Sequence, residues 1–101
     1  MEKDLRYTEL FELYKELLTE RQREIFSCHY CLDLSLSEIA EPDGNTRQSV
    51  YSAIKTVKSK LDEYEKFLKL YEKNQKLMVL SEKVKEYDSS LAQQILEIVG
   101  K

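Results

Sequence analysis

The sequence predicts an all-α protein built around a helix-turn-helix, and three observations predict it. Apolar residues recur at three- and four-residue spacing through most of the chain, the signature of amphipathic helices. Two Gly and one Pro in 101 residues leave too few chain reversals for a turn-rich β fold. The stretch from Ser35 to Lys58 then carries a cap, a stop, a turn and a second cap in that order.

Leu5, Leu10, Leu13, Tyr14, Leu17 and Leu18 mark a first helix that ends at the Leu18–Thr19 junction. Thr19 followed by Gln22 is a capping-box spacing, which opens a second helix through Ile25, Phe26, Cys28 and Leu32. Asp33 and Leu34 link it to a third helix capped by Ser35 with Glu38. Pro42 stops that helix, because the residue before a proline is pushed out of the helical region. Gly44 supplies the positive φ of the turn and Thr46 caps a fourth helix. Ala40, Gly44 and Val50 have the spacing of a helix-turn-helix: the small Ala lets the helices approach, and the Val plugs the second onto the first.

The fourth helix is expected to run from about residue 46 to 87, with Val50, Ala53, Ile54, Val57, Leu61, Tyr64, Leu68 and Tyr71 on one face. The stripe slips beyond Tyr71, which points to a bend or break near Asn74. Asp88, Ser89 and Ser90 cap a short terminal helix over about 89–99. The expectation is one domain over 1–101, with a helix-turn-helix core at about 19–60. A helix of that length outruns so small a domain, so its distal face is expected to meet the first helix or a second copy, with a homodimer preferred.

The formal net charge of −3 gives no global attraction to nucleic acid, but the distribution is uneven. Residues 44–61 hold four bases, Arg47, Lys55, Lys58 and Lys60, and no acid, and this window coincides with the start of the fourth helix. Opposite Val50 and Val57 lie Gln48, Ser52, Lys55 and Ser59, flanked by Tyr51 and Lys58, with Arg47 in the first turn. Arg and Gln near a helix N-terminus can reach base edges, and lysines further along meet phosphates. Arg47, Gln48, Tyr51, Ser52, Lys55 and Lys58 are therefore the candidate nucleic-acid contacts, against the plain alternative of a merely solvated helix face.

Other chemistry finds little support. No run of about 18 apolar residues spans a membrane and no signal core opens the chain, so a cytoplasmic location is expected. Cys28-His29-Tyr30-Cys31 has the spacing of redox and zinc sites, yet no strand precedes it and no second ligand pair exists. Cys28 is expected in the core, Cys31 partly buried and His29 at the surface. Glycine-poor loops cannot cradle a phosphate, and no nucleophile and base are arranged together, so neither enzyme activity nor a metal or other cofactor is expected.

Leu-Thr-Glu-Arg-Gln-Arg-Glu from Leu18, Ser-Leu-Ser-Glu-Ile-Ala-Glu from Ser35, Thr-Arg-Gln-Ser-Val-Tyr from Thr46 and Glu-Tyr-Glu-Lys-Phe-Leu-Lys-Leu-Tyr-Glu-Lys from Glu63 resemble the YlxM family. These are small bacterial helix-turn-helix proteins similar to region 4 of sigma factors and encoded beside components of the signal recognition particle. The resemblance covers about residues 5–85 and implies an all-helical fold, dimerisation through the long helix and a regulatory role in that targeting pathway. DNA, the RNA of the particle or a protein partner in the pathway are the partners it implies. The alternative is an adaptor that binds the particle's GTPase or RNA without reading DNA sequence. Asp43 and Asn45 stand where the family usually places apolar residues, and Pro42 is unusual there, which predicts a less firmly docked fourth helix.

Overall fold

The computed structural model describes residues 5–100, and these form six α-helices with no strand among them. They are α1 (Leu5–Tyr14), α2 (Glu20–Tyr30), α3 (Leu36–Ala40), α4 (Arg47–Leu68), α5 (Leu70–Lys85) and α6 (Ser89–Val99). Single 3-10 turns at Lys15–Leu17 and Glu41–Asp43 follow α1 and α3. The chain divides into two compact units, the first ending at Phe67 and the second beginning at Leu68.

The first unit is built on the caps that the sequence announces. Thr19 and Ser35 each complete a capping box, with Gln22 and Glu38 returning a side-chain bond to the cap's own N–H. Thr46 Oγ1 accepts the Ser49 N–H at 3.0 Å. Between α3 and α4, Gly44 adopts φ 69°, its N–H bonds the Glu41 carbonyl at 3.1 Å, and the Asn45 N–H bonds the Ala40 carbonyl at 3.0 Å. This pair of bonds is a Schellman closure, which satisfies carbonyls that a helix end leaves open and reverses the chain at a glycine.

Ala40, Val50, Ile54, Val57 and Leu61 are buried, together with Leu10, Phe11, Leu18, Ile25, Phe26 and Ile39. Phe11 and Phe26 meet with ring centroids 4.9 Å apart, and Phe26 stacks on Tyr30 at 4.3 Å. Polar ties then join α1 to α4. The buried Tyr14 hydroxyl donates to Glu65 at 2.7 Å, the Tyr7 hydroxyl to Asp62 at 2.7 Å, and the Tyr64 hydroxyl to the Leu17 carbonyl at 3.2 Å. Arg23 closes the end of α1 by donating to the Leu18 carbonyl at 2.9 Å and the Lys15 carbonyl at 3.4 Å.

Several expectations are corrected. Pro42 does not push its predecessor out of the helical region: Glu41 stays right-handed helical at φ −55° and ψ −49°, the chain runs on through the 3-10 turn, and the reversal comes at Gly44. The helix foreseen over 46–87 is two, because Lys69 takes the left-handed conformation at φ 56° and breaks it five residues before Asn74. Here the packing stripe of α4 ends: Glu65 is the last buried residue, while Phe67 and Leu68 are exposed. The left-handed conformation is costly for a non-glycine residue, and no glycine or proline flags it. Cys28 is half-buried rather than in the core, and Cys31 is exposed because α2 ends there. His29 is half-buried, its Nδ1–H donating to the Leu34 carbonyl at 2.8 Å to hold the link after α2.

In the second unit Asp88 caps α6 by accepting the Ser90 and Leu91 N–H groups at 2.9 and 3.2 Å. Ser81 of α5 donates to the Ala92 carbonyl of α6 at 2.9 Å, and these two small residues are the unit's only buried ones among the described residues.

Replacing Lys69 by Gly tests the break. In an unbroken helix it would cost about 1 kcal/mol, whereas at a left-handed position it relieves strain of similar size. Thermal denaturation of Lys69→Gly is expected to show no loss of stability.

Candidate nucleic-acid interface

Burial of Val50, Ile54, Val57 and Leu61 fixes the rotation of α4 about its own axis, so the opposite face is turned outward. Arg47, Gln48, Ser52 and Lys55 are exposed on it, and Tyr51 is 49% exposed. Among the described residues, Arg47, Lys55, Lys58 and Lys60 take part in no ion pair, unlike Arg6, Lys15, Arg21 and Lys76. The charge of the window is thus available to a polyanion.

Lys58 is placed differently from the other candidates. It is half-buried, and its ammonium lies 5.2 Å from the Tyr7 ring centroid and 5.4 Å from that of Tyr30, a double cation–π contact. The candidates therefore gather into two groups that share Tyr51. Arg47, Gln48 and Tyr51 border a hollow of about 410 Å³ with Leu36 of α3. Tyr51, Lys55 and Lys58 border a groove of about 310 Å³ between α1 and α4, together with Tyr7 and Ser59. Ser52 lines neither.

Tyr7 was not foreseen as part of this surface. It lies 44 residues before Tyr51 in a different helix, and no local spacing signals their approach. Asp62 also lines the groove, but its carboxylate accepts from Arg6 at 3.0 Å and from Tyr7 at 2.7 Å. The hydrogen bond to Asp62 raises the already high pKa of Arg6, so the two charges offset each other.

At the turn, Asp43 pairs with Arg21 of α2 at 2.6 Å, so an ion pair stands where the resemblance leads one to expect an apolar plug. Both partners are nearly half-exposed, and such pairs contribute about 0–1 kcal/mol. The docking of α4 rests chiefly on Val50 and Ile54, at 2% and 5% exposure, which limits what the polar turn residues can loosen.

The described residues contain no group of three or more His, Cys, Asp or Glu placed to hold a metal ion, and no helix long and apolar enough to cross a membrane.

Fold and surface together define a helix-turn-helix protein, a class that suggests nucleic-acid binding. Comparison with known sequences agrees: residues 1–99 match the family described as "Putative helix-turn-helix protein, YlxM / p13 like". The chain is 42% identical over 87 residues to the UPF0122 protein of Geobacillus sp. (strain WCH70), covering 86% of this chain and 79% of that one. It is 43% identical over 86 residues to a UPF0122 protein of Halalkalibacterium halodurans, covering 85% and 79%. A UPF0122 protein of Caldanaerobacter subterraneus is 45% identical over 87 residues, covering 85% and 74%. The chain belongs to the YlxM/p13-like UPF0122 family.

Within the motif, Glu38 responds to acid. Its carboxylate accepts the Ser35 N–H, and its own N–H bonds the Ser35 hydroxyl, both at 3.1 Å. The Ser35 N–H foremost, and then the Ser35 hydroxyl beside the carboxylate, hold its pKa below the ordinary 4.5. The stabilisation is complete above 4.5 and is lost as pH falls through the lowered value. Circular dichroism melts from about pH 6 to about pH 3 should show wild type losing more stability than Glu38→Gln.

Proposed function

We propose that the protein is a nucleic-acid-binding regulator that presents the outward face of α4 to DNA, acts as a homodimer, and works in the signal recognition particle pathway. The observation that supports contact is the exposure of Arg47, Gln48, Ser52 and Lys55 on one helix, behind a turn flanked by the buried Ala40 and Val50. Arg47 and Gln48 stand at the helix N-terminus, where recognition helices place base-reading side chains, and Lys55 lies two turns on, where the backbone passes.

Four cations make few phosphate contacts, so a single chain binds weakly and in a strongly salt-dependent way. A second copy doubles them. The second unit supports that copy: a helical hairpin of 34 residues is below the size at which a chain buries a sufficient core alone. It leaves Val79, Leu80, Leu91 and Ile98 between 48% and 77% exposed, an apolar surface a partner hairpin would cover.

The pathway follows from the family resemblance, which also makes the particle's RNA the alternative polyanion. The net charge of −3 favours a second reading, an adaptor that binds the particle's GTPase.

Gel shifts of duplex DNA and of the particle's RNA at two salt concentrations test the contact. Arg47→Glu with Lys55→Glu is expected to abolish binding while the helical spectrum is kept. The single neutral variant Lys55→Gln should lower the salt slope by about 1. Unchanged binding in both variants would leave the adaptor. For the dimer, sedimentation should give twice the 12.0 kDa chain mass and revert to one chain in Leu80→Glu with Ile98→Glu. A monomeric wild type would refute it.

A further inference from the structure

The groove between α1 and α4 has a construction that reading a duplex does not require. A groove-entering helix needs side chains that project, whereas this is a recess with aromatic and cationic walls. Tyr51, Tyr7 and the buried Ile54 line it, and Lys55, Lys58 and Ser59 supply two ammonium groups and a hydroxyl.

The positive charge is held in place without being cancelled. The Lys58 ammonium rests against the Tyr7 and Tyr30 rings, at 5.2 and 5.4 Å, contacts that position a cation and leave its charge unneutralised. Lys55 is exposed and takes part in no ion pair among the described residues. Asp62, the acid within reach, is occupied by Arg6 and Tyr7. Tyr51, half-exposed, lines the groove with these cations, and a tyrosine ring can stack on a flat group.

A flat aromatic group joined to a phosphate is a nucleotide, and a base can lie on a tyrosine only when it is not stacked inside a duplex. We propose that the groove takes an unpaired nucleotide of a nucleic-acid strand, its base against Tyr51 and its phosphate at Lys55 and Lys58. The proposal rests on the nucleic-acid reading above and narrows it at this face to a strand or loop. Tyr7 and Ser59 join the contact surface as a result.

The test uses the full chain and fluorescence anisotropy with a short labelled thymidine strand, the same strand made abasic, a uridine strand of equal length, and a mixed-sequence duplex. The intact strand is expected to bind wild type about tenfold tighter than the abasic one, the size of one stacking contact. In Tyr51→Leu that difference should disappear, with an unchanged melting temperature showing that the fold persists. Tighter binding of the uridine strand would make RNA the source, and tighter binding of the thymidine strand DNA. Equal binding of intact and abasic strands by wild type, or the full difference surviving in Tyr51→Leu, overturns the groove while duplex binding leaves the wider reading standing. Failure to bind any of the four sinks both.

Discussion

The burial of Ala40 and Val50, one on each side of the Gly44 turn, is the constraint on which the rest of the first unit depends. A helix presents a different face for every 100° of rotation, and only one rotation of α4 buries Val50, Ile54, Val57 and Leu61 together. The two backbone bonds that close the turn leave the chain little choice of direction as it enters α4. With that rotation set, Arg47, Gln48, Ser52 and Lys55 are exposed, and among the described residues no side-chain hydrogen bond or ion pair holds them there. The outward surface is a consequence of the inward one.

The same stripe explains where α4 meets α1. Beyond Leu61 the buried position on the next turn is Glu65, a carboxylate that the Tyr14 hydroxyl satisfies at 2.7 Å. A buried charge without a donor would be costly, so Tyr14, itself 1% exposed, is as much a requirement of α4 as a member of α1. Tyr7 and Tyr64 extend the pattern with bonds to Asp62 and to the Leu17 carbonyl. One effect of this tyrosine-rich seam is to bring an aromatic ring of α1 beside the cations of α4.

Most of the fold was legible because its determinants are local. Thr19 with Gln22, Ser35 with Glu38, Gly44 and Thr46 each act over three or four residues, and each does in the structure what its spacing announces. The break at Lys69 was misplaced because it has no local marker: a lysine adopts the left-handed conformation where the buried stripe runs out, which is a property of packing. The outward residues of α4 were legible from period alone. That Lys58 would turn onto Tyr7 and Tyr30 was not, since both rings arrive from other helices. Tyr7 stayed invisible for the same reason.

The segment Leu18–Glu24 bears on how relatives should be compared. Leu18 is core, Thr19 and Gln22 form a capping box, Arg21 holds Asp43 and Arg23 closes the end of α1. Nearly every side chain there is committed to the scaffold, and Arg23 reaches two carbonyls from its Nη1 alone. Selection for foldability alone will keep this heptad almost constant among homologues, charged though it is. A conservation map will mark it as brightly as an active site. The outward positions of α4, Arg47, Gln48, Ser52 and Lys55, carry no such scaffold duty and will look comparatively unremarked.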